Sequence, residues 1–141
     1  MYKFKMAAKK QVISELNVAQ LQALQGSLSN KVLILKFGAD WCGPCKKIAP
    51  AYQEFIAQAP ENIIFGDIDV DENIDLYMAL KKQKMVTGIP VFLAFFGDAK
   101  RTMWFIPDDS IVGADSVAVA QFFNRCLKKA RELTAAYTYF S

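Results

Sequence analysis

The sequence predicts an α/β fold in which helices cover both faces of a mixed β-sheet. Three short segments, 32–39, 63–70 and 91–96, are rich in aliphatic and aromatic residues, as is typical of strands buried on both faces. Segments with helical periodicity separate them, and a hairpin near the end adds an antiparallel pair. With 141 residues, of which 53% are hydrophobic and 22% charged, the chain can enclose one core.

The predicted order of elements is β-α-β-α-β-α-β-β-α. In chain order they are a strand at 11–16, a helix at 17–28, a strand at 32–39, a helix at about 44–59, a strand at 63–70, a helix from 71–75 to about 82, a strand at 91–96, its hairpin partner at 101–106 and a helix from 115 or 116 to about 136. No repeat or linker interrupts this order. We therefore expect a single domain over 1–141, with a core of about 11–136 and short tails.

Local signals support the individual elements. Lysines flank the first strand, as is common at a sheet edge, and Asn17 with Gln20 has the spacing of a capping box that opens the first helix. Pro50 predicts a kink inside the second helix. Acids early and lysines late in the third helix complement the helix dipole. Gly97-Asp98 predicts a turn, and the last helix has an apolar face on which Cys126 is expected to be buried and inert.

Composition excludes several classes of protein. The absence of histidine excludes Ser-His-Asp and Cys-His catalytic systems as well as Cys/His zinc fingers. Three cysteines are too few, and odd in number, for a disulfide-rich secreted scaffold. The net charge of +3 arises from four lysines among the first ten residues, and the rest of the chain has a charge of −1. The body of the domain is therefore not a basic nucleic-acid surface.

No targeting or membrane segment is evident in the sequence. The charged N-terminus is not followed by the apolar stretch of a signal peptide, and the longest apolar run, 89–96, is far shorter than the ~20 residues of a membrane span. We expect a monomer in the cytoplasm, a reducing compartment, with no membrane or nucleic-acid partner. In such a compartment closely spaced cysteines are more often catalytic than structural.

The strongest chemical signal is Trp41-Cys42-Gly43-Pro44-Cys45-Lys46, which follows a buried strand and opens a helix. Two intervening residues in a first helical turn bring the sulfurs close enough to bond. Free N–H groups at the helix start favour a thiolate on Cys42, which we expect to be exposed. Cys45 can then resolve a mixed disulfide. The alternative for a lone CxxC motif is half of a zinc site, but the chain has no second CxxC and no histidine to complete it.

The segment 37–50, FGADWCGPCKKIAP, resembles the active-site segment of the thioredoxin family. Thr87-Gly88-Ile89-Pro90 resembles the cis-proline loop of that family, and Val112-Gly113-Ala114 resembles its loop before the last helix. The resemblance spans roughly 12–127. It implies a thioredoxin-like three-layer α/β/α sandwich with a mixed central sheet.

The resemblance also implies a function and a site. The protein would be a thiol–disulfide oxidoreductase that reduces protein disulfides through the Cys42/Cys45 dithiol, with no metal and no cofactor beyond that redox-active disulfide. Its partners would be disulfide-containing proteins and a thioredoxin-reductase-like electron donor. A cis peptide between Ile89 and Pro90 would face the cysteines. The apolar rim that binds substrate would consist of Trp41, Ile89, Pro90 and Gly113.

Two charges depart from the family pattern. Thioredoxins usually have a buried aspartate six residues before the first cysteine, where this chain has Lys36, and many bacterial members have a lysine on the following strand, where it has Asp67. We expect these two side chains to form a salt bridge beneath the active site, with Asp67 accepting the proton of Cys45. The alternative is that Lys36 extends its ammonium to solvent. The residues expected to tune activity are Trp41, Gly43, Pro44, Lys36 and Asp67.

Two segments, 71–90 and 97–113, are longer than the family pattern. The second contains the apolar run 103–107, MWFIP, which either packs on the domain or forms a partner-recognition lip beside the active site. Two other functions stay open at this point. One is a disulfide isomerase or oxidase, against which Pro44 argues, and the other is a thioredoxin-like binding or scaffold module whose redox activity is incidental.

Overall fold

Six strands form one mixed sheet flanked by four helices in the computed structural model, which describes residues 2–140. The elements are β1 (Lys3–Ala7), β2 (Lys10–Glu15), α1 (Val18–Gly26), β3 (Val32–Gly38), α2 (Gly43–Gln58), β4 (Ile63–Asp69), α3 (Ile74–Lys82), β5 (Val91–Phe96), β6 (Asp109–Val112) and α4 (Ser116–Phe140). The strand order is β1-β2-β4-β3-β5-β6. Strands β2, β4 and β3 are mutually parallel and the other neighbours antiparallel. The predicted three-layer α/β/α sandwich is confirmed.

The central strand of the sheet is β3, which is buried along its whole length. It pairs in parallel with β4 from Val32–Ile63 to Gly38–Asp69, and antiparallel with β5 from Val32–Phe96 to Phe37–Val91. Such a strand has no face left for water, which accounts for its nearly continuous apolar sequence. The register brings the carboxyl ends of β3 and β4 to the same end of the sheet as the amino end of β5. This end carries the cysteine motif.

The helices cover the sheet in pairs. One face is covered by leucines of α1 and α3, namely Leu21, Leu24, Leu76 and Leu80. On the other face, α2 and α4 enclose Tyr52, whose ring lies 5.3 to 5.9 Å from the ring centroids of Phe65, Phe92 and Phe123. The buried hydroxyl of Tyr52 donates to the carbonyl of Gly66 at 2.6 Å, so burial leaves it satisfied.

The N-terminal hairpin was missed by the sequence prediction, which treated the residues before 11 as a tail. Strand β1 pairs antiparallel with β2, and Ala8 and Lys9 between them have left-handed φ values of 51° and 64°. Asn and Gly are the usual residues of such turns, so no turn signal marked this hairpin. Four of the five residues of β1 are exposed, so the alternation of charged and apolar side chains from Lys3 to Met6 does not mark a buried face.

The hairpin partner of β5 is 109–112, and its predicted position at 101–106 is wrong. The Arg101 guanidinium donates to the carbonyl of Ile106 at 2.7 Å and to the carboxylate of Asp108 at 2.6 Å. The same Asp108 carboxylate accepts from the backbone N–H of Phe96 at 2.7 Å. These side-chain bonds fold the segment back on itself, so that it forms a loop where the composition had indicated a strand.

This loop lies at the end of the sheet opposite to the cysteine motif. It leaves β5 at Phe96, which pairs with the first residue of β3, about 20 Å from the other end of a seven-residue strand. Trp104 and Phe105 pack against the core, and the Gln25 side chain of α1 donates to the Trp104 carbonyl at 2.8 Å. The interpretation that 103–107 packs on the domain is confirmed. The alternative, a lip beside the active site, is wrong.

A buried side chain, Asn73, connects three elements near the start of α3. Its Oδ1 accepts from the N–H of Leu16 at 2.9 Å, and its Nδ2 donates to the carbonyls of Ser14 at 3.1 Å and Asp69 at 2.9 Å. All three partners are backbone groups, so that a single amide fixes the ends of β2 and β4 against the entry to α3.

We expect Asn73→Ala to lower the free energy of unfolding by about 3 kcal/mol, because it leaves buried backbone groups without partners. Urea denaturation measures this value. Asn124→Ala is the matched control, since Asn124 is exposed on α4 and its replacement should change stability little. Equal urea midpoints for Asn73→Ala and the unchanged protein would contradict the assigned role.

Candidate active site

The cysteines of the motif form a disulfide at the amino end of α2. Cys42 is the N-cap residue of this helix, and its Sγ accepts a hydrogen bond from the backbone N–H of Cys45 at 3.2 Å. Gly43 and Pro44 occupy the first helical positions, where a proline has no helical hydrogen bond to lose. The helix start thus supplies an N–H donor and the positive end of its dipole to the sulfur of Cys42, both of which favour a thiolate there.

Both cysteines are buried in this disulfide form. Cys42 is 5% exposed and Cys45 4%, so the expectation of an exposed Cys42 is wrong for the oxidised protein. The carbonyl oxygen of Ile89 lies 3.8 Å from Cys42 Sγ, which closes this side of the site. Exposure therefore does not distinguish the two sulfurs, whereas the N-cap hydrogen bond does.

The loop before β5 faces Cys42. The peptide bond between Ile89 and Pro90 is cis, as the resemblance implied. The carbonyl of Pro90 accepts from the N–H of Gly113 at 2.8 Å, and Gly113 has a φ of 99°, a conformation that favours glycine. Three of the four residues predicted for the substrate rim are thus brought together beside Cys42.

The fourth rim residue, Trp41, is 69% exposed. Its indole Nε1–H donates to the carboxylate of Asp71 at 2.8 Å, across the gap between the motif and the loop after β4. This hydrogen bond holds a large apolar ring at the surface. Sequence reasoning missed Asp71, because it is one of several acids before α3 and no local pattern distinguishes it from the others.

A cavity of about 300 Å³ opens beneath Cys45, and both Lys36 and Asp67 line it. These residues are paired in the β3–β4 register, yet they form no salt bridge, and that prediction is wrong. Asp67 instead binds Lys5 of β1, with 2.9 Å between Nζ and Oδ2. The missed hairpin explains the error, since it supplies a competing cation that the sequence analysis had assigned to a tail.

Lys36 is 5% exposed and has neither a salt bridge nor a hydrogen bond from its side chain to the described residues. Its Nζ lies 5.7 Å from the ring centroid of Tyr52. No fully buried side-chain nitrogen or oxygen in residues 2–138 lacks a partner, so the ammonium reaches the solvent of the cavity, as the alternative interpretation expected. The pKa of Lys36 is lowered from its usual value, chiefly because the side chain is buried. The charge of Asp67 opposes this shift, and that of Lys5 adds to it.

Gly38 allows Lys36 and Cys45 to lie side by side. A Cβ atom at Gly38 would be 3.3 Å from Cys45 Sγ and 3.9 Å from Lys36 Cε. The aliphatic stem of Lys36 therefore runs past the same small gap that borders the second sulfur. A residue larger than glycine would push against the disulfide or the lysine.

The third cysteine, Cys126, is fully buried on α4, as predicted. Burial, with a smaller contribution from the charge of Asp109, raises the pKa of its thiol to about 12, so it is protonated near neutral pH. Within residues 2–140 no three His, Cys, Asp or Glu side chains are grouped as a metal site. None of the helices in that range is both long and apolar enough to cross a membrane.

Comparison with known proteins supports the resemblance. The sequence model of the Thioredoxin family matches residues 8–122. The chain is 38% identical over 86 residues to thioredoxin domain-containing protein 8 of Rattus norvegicus, covering 61% of this chain and 64% of that protein. It is 32% identical over 90 residues to the bifunctional thioredoxin reductase/thioredoxin of Mycobacterium leprae, covering 64% of this chain and 17% of that protein.

The fold is shared with solved thioredoxins as well. The structure of Schistosoma mansoni thioredoxin superposes with a TM-score of 0.60 at 26% identity, covering 85% of this chain and 98% of that one. The chain spans between 50% and 64% of the length of the first curated relatives that it matches. Because the family match extends from the turn after β1 to α4 and includes the whole disulfide site, this chain belongs to the thioredoxin family.

Proposed function

We propose that this protein is a thiol–disulfide oxidoreductase that reduces disulfides in other proteins. The observation that carries the proposal is the Cys42–Cys45 disulfide at the start of α2, with the N–H of Cys45 directed at Cys42 Sγ. In the reduced protein the same N–H and the helix dipole stabilise a Cys42 thiolate, which is the form that attacks disulfides.

The reaction proceeds in two exchanges of sulfur bonds. The Cys42 thiolate attacks one sulfur of the partner disulfide, so that a mixed disulfide forms and the other partner sulfur leaves as a thiolate. Cys45, as a thiolate, then attacks Cys42 Sγ and releases the second partner thiolate. Two electrons pass from the dithiol to the partner, and the protein is left with the Cys42–Cys45 disulfide. The two protons released by the dithiol balance those taken up by the partner thiolates.

The substrate is expected to bind across the rim beside Cys42. An extended strand can pair with the backbone at Ile89, as in β-strand addition, while Trp41 offers an exposed ring at the edge. The hydrogen bond from Trp41 to Asp71 keeps that ring in place before binding, which reduces the entropy lost on docking.

Turnover requires an electron donor that reduces the Cys42–Cys45 disulfide again. We propose a thioredoxin-reductase-like protein, since the Mycobacterium leprae relative joins a thioredoxin reductase and a thioredoxin in one chain. The two sulfurs carry both electrons, so no cofactor is needed on this protein. A reducing compartment such as the cytoplasm fits this direction of electron flow.

Alkylation of the reduced protein near neutral pH is expected to modify Cys42 first, because its thiolate is favoured by the helix start. A limiting amount of iodoacetamide, followed by mass spectrometry of the cysteine peptides, measures the order. Cys126 is the internal control and should stay unmodified until the protein unfolds, because it is buried and protonated. Labelling of Cys45 or Cys126 ahead of Cys42 would defeat the assignment.

Insulin reduction with dithiothreitol as electron source tests the proposed function directly. We expect the unchanged protein to accelerate the reaction and Cys42→Ser to fall to the uncatalysed rate, because the attacking sulfur is lost. Cys126→Ala is the control and should keep its rate, since Cys126 is remote on α4. If the unchanged protein and Cys42→Ser were equally slow, a binding or scaffold module would be the better interpretation. A reduction potential of the Cys42–Cys45 disulfide well above that of reducing dithiol proteins would favour an oxidase or isomerase.

Trp41→Ala is expected to raise KM for insulin about tenfold, since truncating an exposed aromatic that contacts the docked partner costs more than ~1 kcal/mol of binding. The free energy of unfolding should change by no more than about 0.5 kcal/mol, because the ring is largely in water. The control is Met103→Ala, which should leave KM unchanged, because Met103 is an exposed apolar residue at the end of the sheet opposite to the cysteine motif. An unchanged KM in Trp41→Ala would remove Trp41 from the rim.

A further inference from the structure

We propose that Lys36, Asp67 and Lys5 form a charge triad with a net positive charge beneath the active site, and that this triad stabilises the thiolate of Cys45. The inference rests on the proposed function, because Cys45 acts as a thiolate only when it resolves the mixed disulfide. Lys36 is a positioning residue in this scheme. It supplies an electrostatic field to the second sulfur and does not exchange bonds with it.

The placement of the triad follows from three strands. Lys36 on β3 and Asp67 on β4 occupy paired positions, and Lys5 on β1 reaches Asp67 at 2.9 Å. Two cations and one anion leave a net charge of +1. All three side chains line the cavity that Cys45 also lines, and a Cβ atom at Gly38 would touch both the Lys36 stem and Cys45 Sγ.

The other charged groups facing this cavity are Asp40, Lys46, Asp69 and Glu72. Asp40, Lys46 and Glu72 are exposed, and Asp69 is half-buried with its carboxylate accepting from the N–H of Asp71. Water and salt screen exposed charges within about 8 Å at physiological ionic strength. Lys36 is the buried member of the set, so its field reaches Cys45 with the least screening.

Lys5 determines how much of the Lys36 charge acts on Cys45. Without Lys5, the Asp67 carboxylate would be free to offset Lys36, and the pair would be neutral towards the sulfur. With Lys5 bound, the carboxylate is already compensated. The N-terminal hairpin therefore tunes the second cysteine from the edge of the sheet, although none of its residues belongs to the motif.

The resolving step depends on this field. In the mixed disulfide, Cys45 must lose its thiol proton to water in the cavity before it attacks Cys42 Sγ and displaces the partner thiolate. A nearby cation favours the charged form of a thiol, whereas burial of the sulfur in an apolar cluster opposes it. The triad offsets that burial.

The test is an NMR titration of Cys45 in a Cys42→Ser background, in which no second thiolate couples to it. The Cβ chemical shift of Cys45, assigned separately from that of Cys126, reports its ionisation. We expect Lys36→Met to raise the titration midpoint by about one pH unit and Lys5→Met to raise it by less. Lys36→Arg should keep more than half of the effect, since the charge is retained.

The matched control is Lys47→Met, which removes the same charge from an exposed lysine outside the cavity and should leave the midpoint in place. Adding salt should reduce the Lys5 effect more than the Lys36 effect, because Lys5 is exposed. An unchanged or lowered midpoint in Lys36→Met, or one shifted no more than in Lys47→Met, overturns the proposal. If Lys36→Met fails to fold, Lys5→Met decides by the same criterion, and a midpoint raised by about one full pH unit in Lys36→Arg would likewise overturn the proposal.

This titration requires no turnover. If the protein fails to reduce insulin but shows the expected shifts, the triad proposal stands and the proposed function fails. If it reduces insulin but shows no shifts, the proposed function stands and the triad proposal fails.

Discussion

The in-register pairing of β3 with both β4 and β5 positions the two halves of the disulfide site. It aligns Gly38 with Asp69 at the carboxyl ends of two parallel strands, and Phe37 with Val91 at the start of an antiparallel one. The cysteine motif that follows β3 therefore meets the cis-proline loop that precedes β5. A shift of one residue in either register would turn every side chain of β3 to the opposite face and would separate the two halves of the site.

The same register creates an electrostatic difficulty that the fold resolves with a cavity. A lysine in the middle layer of a sheet loses its hydration, which costs several kcal/mol when no compensation exists. Lys36 has its ammonium 5.7 Å from the ring centroid of Tyr52 and open to the cavity, with Asp67 near enough to favour the charged form. Gly38 leaves the space that the Lys36 side chain requires. The buried charge is thus tolerated through contact with water, and no direct ion pair is involved.

Much of the architecture could be predicted from the sequence because the buried strands carry their own signal. Strand β5 was predicted with its observed bounds, and β3 and β4 to within one residue, since burial on both faces leaves an uninterrupted apolar run. The capping box of Asn17 and Gln20 is likewise local and was confirmed. The motif located the disulfide for the same reason, because helix start and sulfur spacing are encoded within six residues.

The errors concern contacts that no sequence pattern marks. Strand β1 has no buried face and no turn residue, and the segment after β5 is shaped by Arg101 and Asp108, which form bonds that no local pattern predicts. The partner of Asp67 was wrong because the competing lysine lies 62 residues away in sequence. Distance along the chain explains only this last error, since the hairpin turn and the Arg101–Asp108 bond are local but carry no recognisable sequence signal.

The 97–108 loop and strand β1 differ in what they can affect. The 97–108 loop lies near the amino end of β3. Its apolar residues pack there beside α1, far from the disulfide site. Strand β1 lies at the edge of the sheet beside β2, and its Lys5 reaches across to Asp67 at the level of Cys45. An edge strand alternates its side chains towards both layers, so a single charge on it can reach an internal cavity without any change in the core. Added strands at such an edge can therefore modify the electrostatics of the site while its geometry, which the central strands determine, stays the same.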